Sequence, residues 1–440
     1  MRLGGLIRTA AVGGGLLVGL VAPSVGAAPE TGVAGAEVVS DVVVEGRLRE
    51  LVVSSPALGR EAGVRVLLPA GYDDPANAGR TWPVLWLLHG VGDDHRSWTA
   101  RTDVEGLTAD LPMVVAMPEA GRTPDAGWYS DWVAGLAWET FHLRELLPLV
   151  EARFHAGGAR ERRAVIGFSM GGFGALSYAA RHPDLWVAAG SISGAVDTVL
   201  AGPVQSVLFQ VLHPVAGTPD DRVWGPYLTS EVVWRGHNPV DLATNLRPLG
   251  ALWIRTGNGV PAAGDDPVTI PLEVGVYPMN LVLHDRLARA GIAHDWFDRG
   301  YGTHDWPYRE ADLAAILPGL TAVLADPPPP PAAFDHRFVE DERDVFGWRF
   351  TVADRGGPAF TELTAVSASG LTAAGLGTLA ATTPPGYEGR WQVTTPAGTT
   401  EVEADGDGRL AFSLPLGGAP VAVTLAPVQR AATPAAPTDP

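Results

Sequence analysis

The sequence predicts an α/β fold with a mostly parallel central sheet, followed by a smaller all-β part. Short apolar, β-branched runs alternate with helical patterns from about residue 42 to residue 324, as in sheets covered by helices. A run of prolines at 327–331 then breaks the pattern, and the composition beyond it shifts to Thr, Gly, Val and Ala. Because consecutive prolines favour an extended spacer, we predict a linker and a domain boundary there.

Residues 1–27 have the pattern of an export signal. Two arginines and no acid precede an apolar, Gly-rich run, and Val25-Gly-Ala27 supplies the small residues that a signal peptidase accepts. The apolar run is shorter than the roughly 20 residues needed to span a bilayer. We therefore expect a secreted or cell-envelope protein that does not span a membrane.

Residues 28–326 are expected to form the α/β domain. Candidate strands lie at 64–68, 84–88, 113–117, 164–167, 187–191, 252–256 and 294–297. Apolar residues three and four apart predict helices over 138–154, 173–181, 279–290 and 308–324. Residues 195–250, rich in Trp, Pro and Gly, are predicted to form a lid or wall over a pocket.

Residues 332–430 predict a β-sandwich, and residues 431–440 a disordered tail. Short alternating strands are expected at 347–352, 388–394 and 409–414. The run Asp405-Gly-Asp-Gly408 resembles a hairpin turn. A calcium loop is the disfavoured alternative, because the run lacks the spaced carboxylates of a full loop.

The composition excludes several classes of function. The 440 residues carry 31 basic and 49 acidic side chains and a formal charge of −18, the opposite of what binding to a phosphate backbone needs. With no Cys, disulfide scaffolds, thiol catalysis and Cys-ligated metals are excluded. We expect no nucleic-acid partner, no cofactor and no metal, and any nucleophile must be an oxygen or a nitrogen.

The segment around Ser169 predicts a nucleophile. An apolar strand enters Gly167-Phe-Ser-Met-Gly171, and a helical pattern leaves it, which is the context of a nucleophile elbow. The flanking glycines let strand and helix approach closely, and the helix N-terminus offers backbone N–H groups to developing negative charge.

A serine hydroxyl needs a base, and His304 is the candidate among the histidines. It follows the last candidate strand, so it should lie at the same sheet edge as Ser169. The carboxylate that orients the base should lie between the two in sequence, and spacing alone leaves Asp265, Asp266 and Glu273 open.

An oxyanion hole needs two N–H donors. Met170, directly after the nucleophile, should give one, and Val91, in the turn after strand 84–88, should give the other. His89, Asp93, Asp94 and His95 could be drawn as a metal cluster, but the same residues suit this turn, and we expect no metal there.

With these residues in place, the chain resembles the secreted esterases of the esterase D type, and among them the antigen 85 mycolyltransferases. The resemblance covers about residues 45–325. The motifs that carry it are Leu87-Leu-His-Gly90, Gly127-Trp-Tyr-Ser-Asp-Trp132, Gly167-Phe-Ser-Met-Gly-Gly172, Trp253 to Gly259 and Gly302-Thr-His-Asp-Trp306.

The resemblance implies an α/β-hydrolase fold with a Ser-His-Glu triad. In these relatives the acid is a Glu with an Asn seven residues beyond it, and Glu273 with Asn280 matches that spacing, although Gly275 and Pro278 interrupt the segment. Trp224, Trp234 and Trp306 are candidates for lining the substrate pocket.

The predicted function is an exported serine esterase or acyltransferase acting on a small-molecule, lipid or glycolipid ester. Hydrolysis is favoured, because the mycolyltransferases carry an Arg where this chain has Gly92. Two alternatives stay open. One is mycolyltransferase-like acyl transfer to a sugar hydroxyl, such as that of trehalose. The other is an inactive secreted protein that binds carbohydrate or the cell surface, with the β-rich region contacting envelope polysaccharide.

Overall fold

A sheet of nine strands forms the centre of the first part of the chain, in the order β1-β2-β3-β5-β4-β6-β7-β8-β9. The structure is a computed structural model, and it describes residues 35–123, 125–200 and 220–428. The strands are β1 Glu37–Glu45, β2 Leu48–Ser55, β3 Arg60–Leu67, β4 Val84–Leu88, β5 Val114–Pro118, β6 Arg163–Phe168, β7 Ala188–Ile192, β8 Ala251–Thr256 and β9 Asp295–Asp298. The predicted export signal, the predicted tail and residues 201–219 of the predicted lid lie outside the described residues.

The helices that cover this sheet agree with the predicted pattern in four places and add short ones elsewhere. They are α1 Ser97–Arg101, α2 Val104–Leu107, α3 Trp138–Thr140, α4 Leu147–Phe154, α5 Met170–Arg181, α6 Asp221–Trp224, α7 Tyr227–His237, α8 Ile270–Arg289 and α9 Trp306–Ala325. A π-helical turn at Phe141–Leu146 joins α3 to α4. None of the helices in the described ranges is long and apolar enough to cross a membrane.

The direction of the strands decides where a site can form. β4 pairs in parallel with both β5 and β6, and β6 to β9 continue the parallel pairing. β1, β2 and β3 extend the sheet in antiparallel fashion. The carboxyl ends of the parallel strands therefore meet at one edge, where ligands of open α/β sheets bind.

Strands β1 and β2 were not predicted. Val39, Val42, Val43 and Val44 of β1 are exposed, so this edge strand lacks the half-buried alternation by which a strand is recognised in a sequence.

Apolar side chains fill both faces of the sheet. On one face Trp138, Phe173 and Leu283 pack from α3, α5 and α8. On the other face Trp98 of α1 and Leu313 and Leu320 of α9 pack against the strands. Burial on both sides explains why the central strands read as continuous apolar runs.

Two antiparallel sheets follow the proline run. Their strands are β10 Ala333–Phe338, β11 Glu342–Val345, β12 Trp348–Ala353, β13 Thr361–Ser367, β14 Gly370–Ala374, β15 Leu376–Thr382, β16 Arg390–Thr395, β17 Gly398–Glu403, β18 Ala411–Gly417 and β19 Val421–Pro427. One sheet has the order β10-β13-β14-β19-β16-β17 and the other β11-β12-β15-β18. Phe350, Leu363 and Leu414 belong to the single apolar cluster that the two sheets share.

The predicted hairpin at Asp405-Gly-Asp-Gly408 is wrong. The run joins β17 to β18, which belong to different sheets, so it carries the chain across and does not pair neighbouring strands. The Asp405 carboxylate accepts the N–H groups of Asp407, at 3.0 Å, and of Arg409, at 2.8 Å. These hydrogen bonds form a local Asp turn.

The proline run is packed against the α/β part of the chain. The buried guanidinium of Arg160 donates to the carbonyl oxygens of Pro328, at 3.2 Å, and of Pro183, at 3.3 Å, and also to that of Pro248. A Cβ added at Gly250 would lie 2.7 Å from Pro328. The run is therefore fixed in place, and the division of the chain into domains at this point stays a prediction.

Candidate active site

Ser169 lies in a sharp turn between β6 and α5. Its φ of 55° and ψ of −117° are rare for a residue other than glycine and cost of order 1–3 kcal/mol. The turn requires Gly167 and Gly171, because a Cβ at Gly167 would lie only 2.0 Å from the Gly171 carbonyl oxygen. The Ser169 N–H donates to the Ile192 carbonyl of β7 at 3.0 Å, which holds the turn against the sheet.

Ser169, His304 and Glu273 form a continuous hydrogen-bonded row. The Ser169 Oγ lies 2.9 Å from His304 Nε2, and His304 Nδ1 lies 2.6 Å from Glu273 Oε2. Since a carboxylate only accepts, Nδ1 carries the ring proton and Nε2 accepts the proton of the serine hydroxyl. This tautomer is the one that can remove a proton from Ser169.

The Glu273 carboxylate is fully buried and its second oxygen is also satisfied. Oε1 accepts the Gly257 N–H and the Ser193 hydroxyl, both at 2.7 Å. The Thr256 hydroxyl lies 3.2 Å from this oxygen and 2.8 Å from the Gly257 carbonyl oxygen. Burial alone would raise the pKa of Glu273, but the hydrogen bonds from His304 and Ser193 bring that pKa below its usual value. The carboxylate is therefore ionised at neutral pH.

His304 is held as a neutral imidazole. Its side chain is almost completely buried, and burial, followed by the positive charge of Arg309, lowers the pKa of His304 despite the opposing hydrogen bond to Glu273. A neutral imidazole is the form that a general base needs before the reaction starts.

The two predicted oxyanion donors lie at the same edge of the sheet. Met170 is the first residue of α5, so its N–H has no acceptor within the helix. A Cβ at Gly171 would lie 2.4 Å from the Leu88 carbonyl oxygen, so the start of α5 touches the end of β4. Val91 follows in the next turn and is half-buried.

His89 shapes the turn that carries Val91. Its Nε2 accepts the Ala120 N–H at 2.9 Å, and its Nδ1 lies 2.8 Å from the Gly90 carbonyl oxygen. Burial lowers the pKa of His89 to about 4, so the ring is neutral and both of its nitrogens are occupied. Within the described residues, no group of three or more His, Asp or Glu side chains is arranged to hold a metal ion.

The alternative acids lie elsewhere. The Asp265 carboxylate accepts the Tyr308 hydroxyl at 2.8 Å, and Asp266 caps a short turn by accepting the Val268 N–H at 2.9 Å. The sequence left three carboxylates open, and the structure brings Glu273 alone of them to His304.

Helix α8 continues through Gly275 and Pro278 without a break. The fully buried Asn280 amide donates to the Gly194 and Val276 carbonyl oxygens, each at 2.8 Å, and so fastens this helix to the loop after β7. The expected interruption is therefore absent, and Glu273 lies on a regular helix.

The three tryptophans have different environments. Trp224 and Trp234 have no exposed surface, and their rings pack edge-on, 4.9 Å apart, within the apolar core. Trp234 donates its indole N–H to Gly225, and Trp224 stacks on His237. That these two rings line a substrate pocket stays a prediction, which their burial does not support. Trp306 is half-buried, with its ring edge-on to Trp98 at 5.2 Å, and its contact with substrate stays a prediction.

Sequence reasoning missed two residues that support the site. Ser193, at the end of β7, donates to Glu273, and its place after a parallel strand was a usable signal. Tyr129 donates its hydroxyl to the His89 carbonyl at 2.9 Å, and in the sequence nothing but the motif at 127–132 marks it.

This parallel sheet, with a strained serine turn and a buried histidine at its carboxyl edge, defines an α/β-hydrolase. The chain belongs to the family described as "Putative esterase", whose model matches residues 55–320.

Named relatives agree with that family. An esterase of Mycobacterium tuberculosis is 37% identical over 248 residues, which cover 54% of this chain and 52% of that protein, so the match spans about half of the relative's length. Diacylglycerol acyltransferase/mycolyltransferase Ag85A of M. tuberculosis is 31% identical over 338 residues, covering 72% of this chain and 91% of that protein.

A solved structure agrees with the fold. MPT51 (FbpC1) of M. tuberculosis superposes with a TM-score of 0.53 at 22% identity, covering 64% of this chain and all of that one. The predicted family and fold class are confirmed.

Proposed function

We propose that the chain is a serine carboxylic ester hydrolase with Ser169 as nucleophile, His304 as general base and acid, and Glu273 as the carboxylate that orients His304. The hydrogen-bonded row of these three side chains carries the proposal. Membership of the esterase family supports the class of substrate.

The first half of the reaction acylates Ser169. Its Oγ attacks the ester carbonyl carbon while its proton moves to His304 Nε2, and the C=O bond becomes an oxyanion. The Val91 and Met170 N–H groups are proposed to hold that oxyanion. When the tetrahedral intermediate collapses, the ester C–O bond breaks and His304 returns the proton to the leaving alcohol.

The second half removes the acyl group. A water molecule, or the hydroxyl of an acceptor, gives a proton to His304 and attacks the acyl carbonyl, and Ser169 leaves with that proton restored. Because both acceptors use the same side chains, the row of three does not decide between hydrolysis and acyl transfer.

Acyl transfer to a sugar hydroxyl is the second candidate. The relative Ag85A is named a mycolyltransferase, and the match covers nearly all of that protein. The resemblance to the mycolyltransferases implies an Arg at the position where this chain has Gly92, which is why we favour hydrolysis.

Product partition from one acyl donor tests the proposal. A p-nitrophenyl ester is supplied with and without trehalose, and free acid and acyl-sugar are quantified, with Ser169→Ala as the inactive control. We expect free acid to dominate in both mixtures. Dominant acyl-trehalose would favour transferase activity. Turnover by Ser169→Ala equal to that of the wild type would remove the nucleophile assignment, and no turnover by the wild type would favour an inactive binding protein.

Export is proposed from residues 1–27, whose composition fits a signal peptide. A small-molecule, lipid or glycolipid ester is the proposed substrate, and contact of the β-rich region with envelope polysaccharide stays a prediction.

A further inference from the structure

Arg309 is a buried cation that has no role in the proposed reaction as described so far. It lies in the first turns of α9, five residues after His304, and only 2% of it is exposed. None of its guanidinium nitrogens has a hydrogen-bond partner among the described residues. An unpaired buried charge is costly, so its retention calls for a compensating interaction.

The Phe168 ring connects this cation to the site. The Arg309 guanidinium carbon lies 3.6 Å from the centre of the ring, and that centre lies 4.8 Å from the centre of the His304 ring. Phe168 directly precedes Ser169, and a Cβ at Gly90 would lie 2.9 Å from the ring. A single aromatic ring therefore separates the guanidinium from the serine turn, the histidine and the turn that leads to Val91.

The acidic groups around Arg309 come from three elements. Asp305 and Asp312 lie on or beside its own helix, and the Asp312 carboxylate already pairs with Arg299 at 2.5 Å. Asp93 lies in the loop after β4, where it is 3.9 Å from Arg101. Burial raises the pKa of Asp93 to about 6, so this carboxyl is partly protonated in weakly acidic solution.

Glu273 on α8 is the remaining acid. Among the described residues it has no ion-pair partner besides His304, which is neutral at rest. Arg309 keeps its positive charge at neutral pH, because burial lowers its pKa only to about 9. With His304 neutral, the negative charge of Glu273 is therefore offset by the positive charge of Arg309.

We propose that Arg309 is a positioning residue for the proposed reaction, which supplies the counter-charge for Glu273 and, through Phe168, keeps His304 neutral and in place beside Ser169. The inference rests on the proposed function. Its physical basis is that a cation near the imidazole opposes a second proton there, while it favours the ionised carboxylate.

The test is the pH dependence of kcat/KM for a p-nitrophenyl ester. Arg309→Met keeps a long, unbranched side chain beside the Phe168 ring but removes the charge, and Arg309→Lys keeps the charge. Without the cation, His304 binds its second proton more readily, so the acid limb of the Met variant should move to higher pH by about 1 unit. Because Arg309→Lys keeps the positive charge, the acid limb of this variant should lie close to that of the wild type.

Two results would overturn the proposal. One is an acid limb unchanged in a folded Arg309→Met variant. The other, which remains measurable if that variant does not fold, is an NMR titration of the wild type in which the pKa of His304 is at or above the ordinary value of about 6.5. The proposed function fails separately, if wild-type turnover persists in Ser169→Ala, so the two failures are distinguishable.

Discussion

Glu273 is an acid whose environment fixes its charge and direction. One carboxylate oxygen accepts from the Gly257 N–H and the Ser193 hydroxyl, and the other faces His304. Such a carboxylate holds the imidazole in one tautomer and stabilises it once it is protonated.

Replacing Glu273 by Gln should therefore lower kcat by about a thousandfold or more, with little change in KM, because an amide can present its NH2 group to Nδ1 and select the wrong tautomer. Steady-state kinetics on a p-nitrophenyl ester measure the loss. Asp266→Asn is the matched control and should stay within about twofold of wild type, since Asp266 only caps a short turn. Similar losses in the two variants would contradict the role of Glu273.

Individual site residues could be predicted from the sequence where a motif fixes the backbone conformation. The strand-turn-helix pattern around Ser169 predicts the turn that the structure contains, and His304 follows its strand as expected. The choice among three carboxylates depended on which face α8 turns to the sheet, and the burial of Trp224 and Trp234 depended on tertiary packing. Arg309 has no local signal in the sequence, because a single cation on an apolar helix resembles an ordinary surface residue.

The contact between α5 and β4 positions the serine turn against the turn that carries Val91. Gly171 makes that contact possible, since its Cα faces the Leu88 and His89 carbonyl oxygens directly. The periodicity of the sequence predicts β4 and α5, but it does not predict how closely the two approach each other. The flanking glycines are the one local sign that the two approach closely.

Gly171→Ala should destabilise the protein by several kcal/mol or displace the helix, because the added Cβ would lie 2.4 Å from the backbone oxygen of Leu88 in the central strand β4. Urea unfolding and the rate of ester hydrolysis measure the two consequences. The control is Gly275→Ala in α8, where no atom lies within 4 Å of the added Cβ. Helix propensity predicts that this control is stabilised by about 0.5–1 kcal/mol. Equal effects of the two substitutions would contradict the close-contact account.

Across the whole molecule, polar side chains join the α/β part to the β-rich part. The fully buried Asn245 amide donates to the Ala180 and Arg337 carbonyl oxygens and accepts the Arg337 N–H, each at 2.9 Å. Arg181, the last residue of α5, pairs with both Glu139 and Glu340. These partners are far apart in sequence, so no local pattern could have predicted that the region after the prolines docks on α5.

Asn245→Ala should lower the free energy of unfolding by about 2–4 kcal/mol, because it takes the Asn245 partner away from the buried Ala180 carbonyl group and from the partly buried carbonyl and N–H groups of Arg337. Urea denaturation followed by intrinsic fluorescence measures the change. Asn77→Ala, which removes a single exposed hydrogen bond to Gly71, is the matched control and should cost about 1 kcal/mol or less. A loss no larger than that of the control would show that the two parts are not held together through Asn245.

The most direct test of the central claim is labelling with a fluorophosphonate probe, followed by peptide mapping of the adduct. Fluoride leaves as an activated serine oxygen bonds to phosphorus, so only a nucleophilic serine reacts readily. We expect one adduct, on Ser169, that is lost in Ser169→Ala and kept in Ser54→Ala, a change of an exposed serine on β2. An adduct on another residue, or no adduct on a protein that still hydrolyses esters, would contradict it.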